Sequence, residues 1–161
     1  MNLDINTPRG RGYHQDQLEA IKIVFRNDKQ RTFIHTAGDA AAKVDGFILK
    51  DGVVTVAVEV KSREMSHKQL MGEFQGEWLL TYAKIEDIAK VSNLLCIPSY
   101  GFLYLKQDKI VAAVKLCDMR GNITCKHRTL VTRTQQTCNG GSIERLNAYV
   151  DMHNAKLYLS S

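Results

Sequence analysis

Two apolar segments joined by a turn carry most of the information in this chain. The first, VDGFI at residues 44–48, has an aspartate as its second residue, and the second, VVTVAVEVK at residues 53–61, ends in glutamate, spacer and lysine. The intervening Asp51-Gly52 is a strong hairpin signal. Because β-branched residues dominate the second segment, we expect both to be strands of a well-covered sheet.

Charged side chains are rare in such strands, because burying an unpaired charge costs several kcal/mol or shifts its pKa. Glu59 and Lys61 are two residues apart and therefore share a face of the second strand. Asp45 and Glu59 offer the oxygen ligands that Mg²⁺ prefers. A lysine beside such an ion can orient or deprotonate a water and neutralise charge on phosphorus. The set suits metal-assisted phosphodiester hydrolysis.

The order of Asp45, a spacer of about a dozen residues and Glu59-Val60-Lys61 resembles the PD-(D/E)XK nuclease superfamily, which includes many restriction enzymes and the archaeal-type Holliday junction resolvases. The resemblance covers roughly residues 10–106 and departs at Val44, where the family name expects proline. It implies an α/β fold with a restriction endonuclease-like core, a mixed central sheet in the order αβββαβ flanked by helices. It also implies Asp45 and Glu59 as metal ligands, Lys61 as a catalytic residue, and Mg²⁺, replaceable by Mn²⁺, as cofactor.

Two helices add candidates to this site. Residues 14–25 have the three-four apolar spacing of an amphipathic helix. In the resemblance an acid on the first helix often joins the metal site, and Glu19 is the matching catalytic and metal-binding residue; a solvent-facing glutamate is the alternative. The family often adds a side chain from its second helix, for which the open candidates are Gln69, Gln75 and Lys84.

The hairpin places a geometric condition on a shared site. With a two-residue turn at Asp51-Gly52, Asp45 faces Val58 and points away from Glu59. A three-residue loop with glycine in the left-handed bulge position, or a bulge elsewhere, shifts the register by one and brings Asp45 to the face of Glu59. A shared site therefore requires a bulge.

The 161 residues have the length of a single domain, with the nuclease-like core at about 10–106 and a basic, β-rich C-terminal extension at about 107–161. The strand at residues 100–105 is expected to run parallel to the one that ends in Lys61. Other expected elements are a long helix at 77–96, strands at 32–36, 109–116 and within 123–134, and a tail at 143–159 that is either helix or strand. Leu157-Tyr158-Leu159 is a candidate for pairing with a partner chain.

The excess positive charge lies in the last third of the chain. From Lys106 onward nine Lys and Arg oppose four Asp and Glu, whereas the first 105 residues hold thirteen of each. Such a bias fits a surface that faces a polyanion, and a solvated surface is the simpler alternative. The residues predicted to bind nucleic acid are Arg63, Lys68, Lys84, Lys126, Arg128, Arg133 and Arg145.

The sequence has no apolar run of membrane-spanning length and no signal-peptide core, so we expect a cytoplasmic protein without membrane contacts or a small-molecule cofactor. The four cysteines form no CxxC pair, and free thiols are expected. A zinc site from Cys117, Cys125, His127 and Cys138 is the alternative.

These features predict a Mg²⁺-dependent DNA endonuclease, structure-selective or weakly sequence-specific, that acts in recombination or repair like a Holliday junction resolvase. Cutting a junction or duplex needs two sites, so we expect a two-fold homodimer. The alternatives are a sequence-specific restriction-type endonuclease and a non-catalytic nucleic-acid-binding protein on a nuclease scaffold. A purely structural salt bridge between Glu59 and Lys61 explains the pair less well, because exposed pairs contribute only roughly 0–1 kcal/mol.

Overall fold

A computed structural model describes residues 8–36, 43–135 and 141–160 and has an α/β architecture. A mixed sheet of six strands forms its centre, and a second sheet of three strands covers part of one face. The elements in chain order are α1 (Pro8–Phe25), β1 (Arg31–His35), β2 (Gly46–Lys50), β3 (Val53–Arg63), α2 (His67–Met71), β4 (Glu77–Thr81), α3 (Tyr82–Leu95), β5 (Ser99–Leu105), β6 (Ile110–Cys117), β7 (His127–Gln135), β8 (Ser142–Asp151) and β9 (Lys156–Leu159).

The central sheet has the strand order β1-β2-β3-β5-β6-β9, and β3 and β5 are its parallel neighbours. In their register Glu59 pairs with Gly101, and Lys61 pairs with Leu103. Parallel strands need a long crossover connection, which the segment containing α2, β4 and α3 provides. The expected parallel pairing of these two strands is confirmed.

Alternate side chains of β3 enter two different cores. Val58 and Val60 join the apolar cluster that includes α1 residues, whereas Ala57 joins the cluster that includes residues of α3 and the second sheet. Because successive side chains of a strand point to opposite faces, Glu59 and Lys61 project away from α1 and towards α3. The polar residues of the strand thus lie on its α3 side.

The hairpin between β2 and β3 has a two-residue turn, since Lys50 pairs with Val53. Asp51 and Gly52 have φ angles of 53° and 77°, the left-handed values that a type I′ turn requires. The three-residue loop considered above is therefore wrong, and the register needed for a shared site must arise elsewhere in the hairpin.

A β-bulge at Thr55 supplies that register. Ile48 pairs with Val56, whereas the next residue of β2 pairs with Val54, so Thr55 is the extra residue of β3. Its hydroxyl donates to the Ile48 carbonyl at 3.1 Å. The shift sets Gly46 opposite Val58, and the residue before Gly46 comes next to Glu59.

The second sheet has the order β4-β8-β7 and corrects the expected helix at residues 77–96. Its first five residues form β4, in which Trp78 and Leu80 are buried while the residues between them are half-buried. This alternation and the pairing with β8 favour a strand, so the helix begins only at Tyr82. The Trp78 ring packs over Gly101, where a Cβ atom would lie 2.5 Å from it.

The chain ends also differ from expectation. The first helix begins at Pro8 rather than His14, and the tail forms two strands. Leu157, Tyr158 and Leu159 lie in β9 and pair with β6 of the same chain, which corrects the expected pairing with a partner chain.

Among the helices of the described ranges, none combines the length and apolar character that crossing a membrane requires.

The contact between Trp78 and Gly101 predicts a local limit on side-chain size. We expect Gly101→Ala to lower the free energy of unfolding by about 1–3 kcal/mol, because the added Cβ atom would lie 2.5 Å from the buried Trp78 ring and force that ring to shift. Gly12→Ala in α1, where an added Cβ meets no atom within 4 Å, is the matched control and should be neutral or stabilising by up to about 1 kcal/mol. Chemical denaturation measures both; equal stability of the two variants contradicts the prediction.

Candidate active site

Glu59 is the centre of the charged group on the α3 face of the sheet. Its side chain has 0% exposure, and its carboxylate oxygens Oε1 and Oε2 lie 3.2 Å from Lys61 Nζ and 3.3 Å from Lys84 Nζ. Removing an ionised carboxylate from water costs several kcal/mol unless opposite charges compensate for the lost hydration. The two ammonium groups therefore make the burial of Glu59 tolerable.

Asp45 directly precedes β2 and lies beside this group. Its Oδ2 atom accepts a hydrogen bond of 2.7 Å from the Val60 N–H. Its backbone carbonyl accepts from the Thr36 N–H at 3.0 Å, and its own N–H donates to the Val58 carbonyl at 3.0 Å. The sequence thus places the aspartate by main-chain contacts on both sides, and the bulge at Thr55 brings those contacts into register.

The charges of this group shift one another's pKa values. Burial, followed by the negative charge of Asp45, raises the pKa of Glu59 to about 7, although Lys61 and Lys84 oppose the shift. Burial alone lowers the pKa of Lys61, but the charges of Glu59 and Asp45 outweigh that effect and raise it. Lys61 is therefore a cation at neutral pH.

Of the three second-helix candidates, the structure brings Lys84 to the site. Lys84 lies in the first turn of α3, where its ammonium group reaches Glu59 and its side chain is only 24% exposed. Gln69 belongs instead to the capping box of α2 with Ser66, and Gln75 lies in the turn before β4. Lys84 is thus ion-paired with Glu59 within the site, and its predicted contact with a nucleic-acid backbone stays a prediction.

Glu19 is not brought to this group. It lies on α1 with its carboxylate 3.9 Å from Lys22 Nζ, and its charge acts on Tyr104, whose pKa is raised first by burial and then by Glu19. Tyr104 packs in the α1 cluster, on the face of the sheet opposite to Glu59. The sequence identifies the helix correctly but does not fix which face of the sheet it covers.

The carboxylates present fit a Mg²⁺ ion that is completed by water and substrate. Mg²⁺ is commonly held by one or two carboxylates together with water and phosphate oxygens, and Asp45 and Glu59 provide such a pair. Neither oxygen of Glu59 has a well-directed hydrogen bond within the described part of the chain. No cluster of three or more His, Cys, Asp or Glu side chains suited to a metal occurs among the described residues, so the protein alone would fill few coordination positions.

His35, which interacts electrostatically with Asp45, and His14, which contacts His35, were not predicted as part of the site. His35, at the end of β1, has its ring centroid 5.3 Å from that of His14 on α1. Burial and the neighbouring His14 lower the pKa of His35, while Asp45 opposes them. The position of His35 at the end of the strand next to β2 could have indicated that it lies near Asp45. Its contact with His14 on α1 depends on the tertiary fold and has no local sequence signal.

Most predicted nucleic-acid contacts in the C-terminal region are ion-paired. Arg128 makes two hydrogen bonds to the Glu77 carboxylate, and Lys126 and Arg133 lie 3.7 Å and 4.0 Å from acidic partners. Lys68 is exposed on α2, and Arg145 is half-buried on β8. Arg63, at the end of β3, lines a cavity. The formal charge excess thus overstates the free positive charge of this surface.

The cysteines within the described residues are free thiols, as expected. Burial raises the pKa of Cys117, and burial together with Cys117 raises that of Cys125 to about 11. His127 lies 3.8 Å from Cys125 Sγ, and Cys138, the remaining member of the alternative zinc set, lies outside the described residues.

Comparison of this chain with models of known families, with curated proteins and with solved structures found no match.

The raised pKa of Glu59 predicts a pH-dependent stability of the metal-free protein. Because folding raises this pKa from 4.5 to about 7, the contribution of Glu59 to stability is fully present below about pH 4.5 and is lost as the pH rises through about 7. We expect the unfolding free energy of Glu59→Gln to fall less than that of the wild type between about pH 4.5 and 7, by roughly 1–3 kcal/mol. Denaturant titrations in EDTA measure the effect.

The matched control is Glu86→Gln, which changes an exposed carboxylate on α3 and should leave the wild-type pH dependence intact. A wild-type protein whose stability is unchanged or increases over the same interval, with Glu59→Gln behaving identically, contradicts the assignment of this titration to Glu59.

Proposed function

We propose that this protein is a Mg²⁺-dependent endonuclease that hydrolyses phosphodiester bonds of DNA. The observation that carries the proposal is the buried Glu59 carboxylate, held between Lys61 and Lys84 and beside Asp45. Such a group costs stability to assemble, and perturbed pairs of this kind cluster at functional sites.

The surrounding fold supports this proposal. Leaving aside α2 and β4, the elements from α1 to β5 follow the order αβββαβ, which the sequence resemblance implies for a restriction endonuclease-like core. Asp45 precedes the second strand of the meander, and Glu59 and Lys61 lie in the third. A bulge in the chain, rather than chance alternation, brings the two acids to one face. We infer a restriction endonuclease-like core from this agreement.

Each residue then has a distinct role. Asp45 and Glu59 would hold the Mg²⁺ ion, which supplies Lewis acidity and an activated water when bound. Lys61, with 38% of its side chain exposed, is the cation that can reach a substrate, where it orients the water and neutralises charge that develops on the phosphate. Lys84 is less exposed and acts as a positioning residue that holds the Glu59 carboxylate.

The preferred substrate in this proposal is branched or distorted DNA rather than a defined duplex sequence. No helix among the described residues stands free of the body as a reader of the major groove would; α1 and α3 both pack on the central sheet. Cutting both strands requires two sites and hence a homodimer. Val131 and Leu146 are register partners on β7 and β8, and their exposed apolar side chains share one face of the second sheet that is available for such an association.

Cleavage of supercoiled plasmid and of a synthetic four-way junction tests the proposal, with Mg²⁺, Mn²⁺ or EDTA present. We expect metal-dependent cutting that favours the junction and that falls at least about a hundredfold in Lys61→Ala, since loss of one transition-state charge contact typically costs 10²–10³ in rate. Lys90→Ala, which changes an exposed lysine of α3, is the matched control and should retain full activity.

The alternatives give different results in the same assay. Efficient cutting of one duplex sequence, with no preference for the junction, identifies a restriction-type enzyme. Absence of cutting with every metal, while salt-sensitive DNA binding persists and circular dichroism shows a folded protein, contradicts the proposal and identifies a non-catalytic binding protein.

A further inference from the structure

A cavity of about 550 Å³ lies beside the proposed site, on the same face of the central sheet. Leu103, the register partner of Lys61 on β5, forms part of its wall, as does Arg63, two residues beyond Lys61 on β3. Side chains two apart on a strand share a face, so the cavity has walls on the face of the sheet that carries Glu59 and Lys61. Its volume lies within the roughly 300–1,000 Å³ range of ligand pockets in proteins.

Aromatic side chains form several walls of this cavity. Phe74, in the turn before β4, is 43% exposed, and Tyr149 of β8 lies on the opposite sheet. The Arg128 guanidinium lies 4.0 Å above the Tyr149 ring centroid and is fixed there by its two hydrogen bonds to Glu77, at 2.8 and 3.2 Å. The ring and the guanidinium form a flat, preformed wall of the kind on which nucleobases stack.

Two hydrogen-bond donors belong to residues that line the cavity, the Arg63 guanidinium and the Trp78 indole. Arg63 takes part in none of the ion pairs within the described ranges; its Nη1 donates to the Ser62 carbonyl at 2.9 Å. The Trp78 indole N–H is buried and has no hydrogen-bond partner in the described part of the chain. Burial lowers the pKa of Arg63, and the electrostatic interaction with Tyr13 opposes that shift. Glu77 is neutralised by Arg128, which leaves Glu73 at the exposed edge as the other acid.

We propose that this cavity receives one unpaired nucleotide of the DNA strand, with its base against Phe74 and Tyr149 and its phosphate at Arg63. The inference rests on the proposed function and defines its substrate class, DNA with an unpaired nucleotide next to the scissile phosphate. Removing a base from a duplex costs a few kcal/mol, and that cost is least for a base that is already unpaired. The cavity therefore gives a physical reason for selecting branched or flapped DNA over continuous duplex.

The single tryptophan of the chain provides a direct readout, because Trp78 lines the cavity. A thymidylate tetranucleotide should change its fluorescence in a saturable way and bind at least about fivefold more tightly than the corresponding abasic tetranucleotide, since stacking of one base on an aromatic side chain gives an effect of that size or more. Phe74→Ala and Arg63→Gln should each weaken binding, and Phe74→Ala should reduce the preference for the intact base.

Leu94→Ala, an exposed apolar residue of α3, and Arg120→Gln, an exposed arginine in the turn after β6, are the matched controls and should bind as wild type. Phe74 is partly exposed, so its variant keeps the test decisive if Arg63→Gln does not fold. Equal binding of the intact and abasic strands by the wild-type protein overturns the inference, as does a Phe74→Ala variant that behaves as wild type.

A cleavage arm separates this inference from the proposed function. Suppose that the protein cuts DNA in a metal-dependent way but shows no preference for a duplex with one unpaired nucleotide and no base-dependent tetranucleotide binding. That result contradicts the nucleotide-binding cavity and supports the nuclease. Base-dependent binding that needs Phe74, with no cutting under any metal, supports the nucleotide site and removes the nuclease.

Discussion

A fully buried carboxylate in the middle of the central sheet is the constraint on which the rest of the site depends. Glu59 remains ionisable only because Lys61 and Lys84 approach it from two elements, the same strand and the start of α3. These two ion pairs depend on the surrounding fold. The helix α3 must begin at Tyr82, and β3 must present Glu59 and Lys61 on the face that α3 covers. The compensation of the Glu59 charge therefore depends on the packing of α3 against β3.

The second sheet packs against the central sheet next to Glu59. Residues 77–81 pair with β8 and pack Trp78 onto Gly101, the register partner of Glu59. This contact covers the sheet immediately beside the buried carboxylate. The strand ends at Thr81, and Lys84 in the first turn of the following helix reaches Glu59. The same sheet contributes Arg128 and Tyr149 to the neighbouring cavity.

Local patterns predicted much of this arrangement, and contacts distant in sequence decided the remainder. The Asp-Gly turn and the β-branched run fix the hairpin, and the apolar run at Tyr100 correctly predicts the strand parallel to β3. The bulge at Thr55 has no sequence signature and was one of two open alternatives. Residues 77–81 adjoin a strong helix pattern, and pairing with the distant β8 determined their conformation. Glu19 has the spacing for the site, yet α1 covers the other face of the sheet.

Metal binding is the decisive measurement, because Asp45 and Glu59 are proposed to hold one ion together. Calorimetric titration of Mn²⁺ into the protein at neutral pH, in two buffers of different ionisation enthalpy, should give one ion per chain with release of protons, since the pKa of Glu59 is about 7 before the ion binds. Asp45→Asn should weaken this binding strongly, and Asp87→Asn, a change in an α3 aspartate that pairs with Lys43, should leave it unchanged. If the protein binds no ion with or without DNA, or if Asp45→Asn does not affect binding, Asp45 and Glu59 do not hold a shared metal ion.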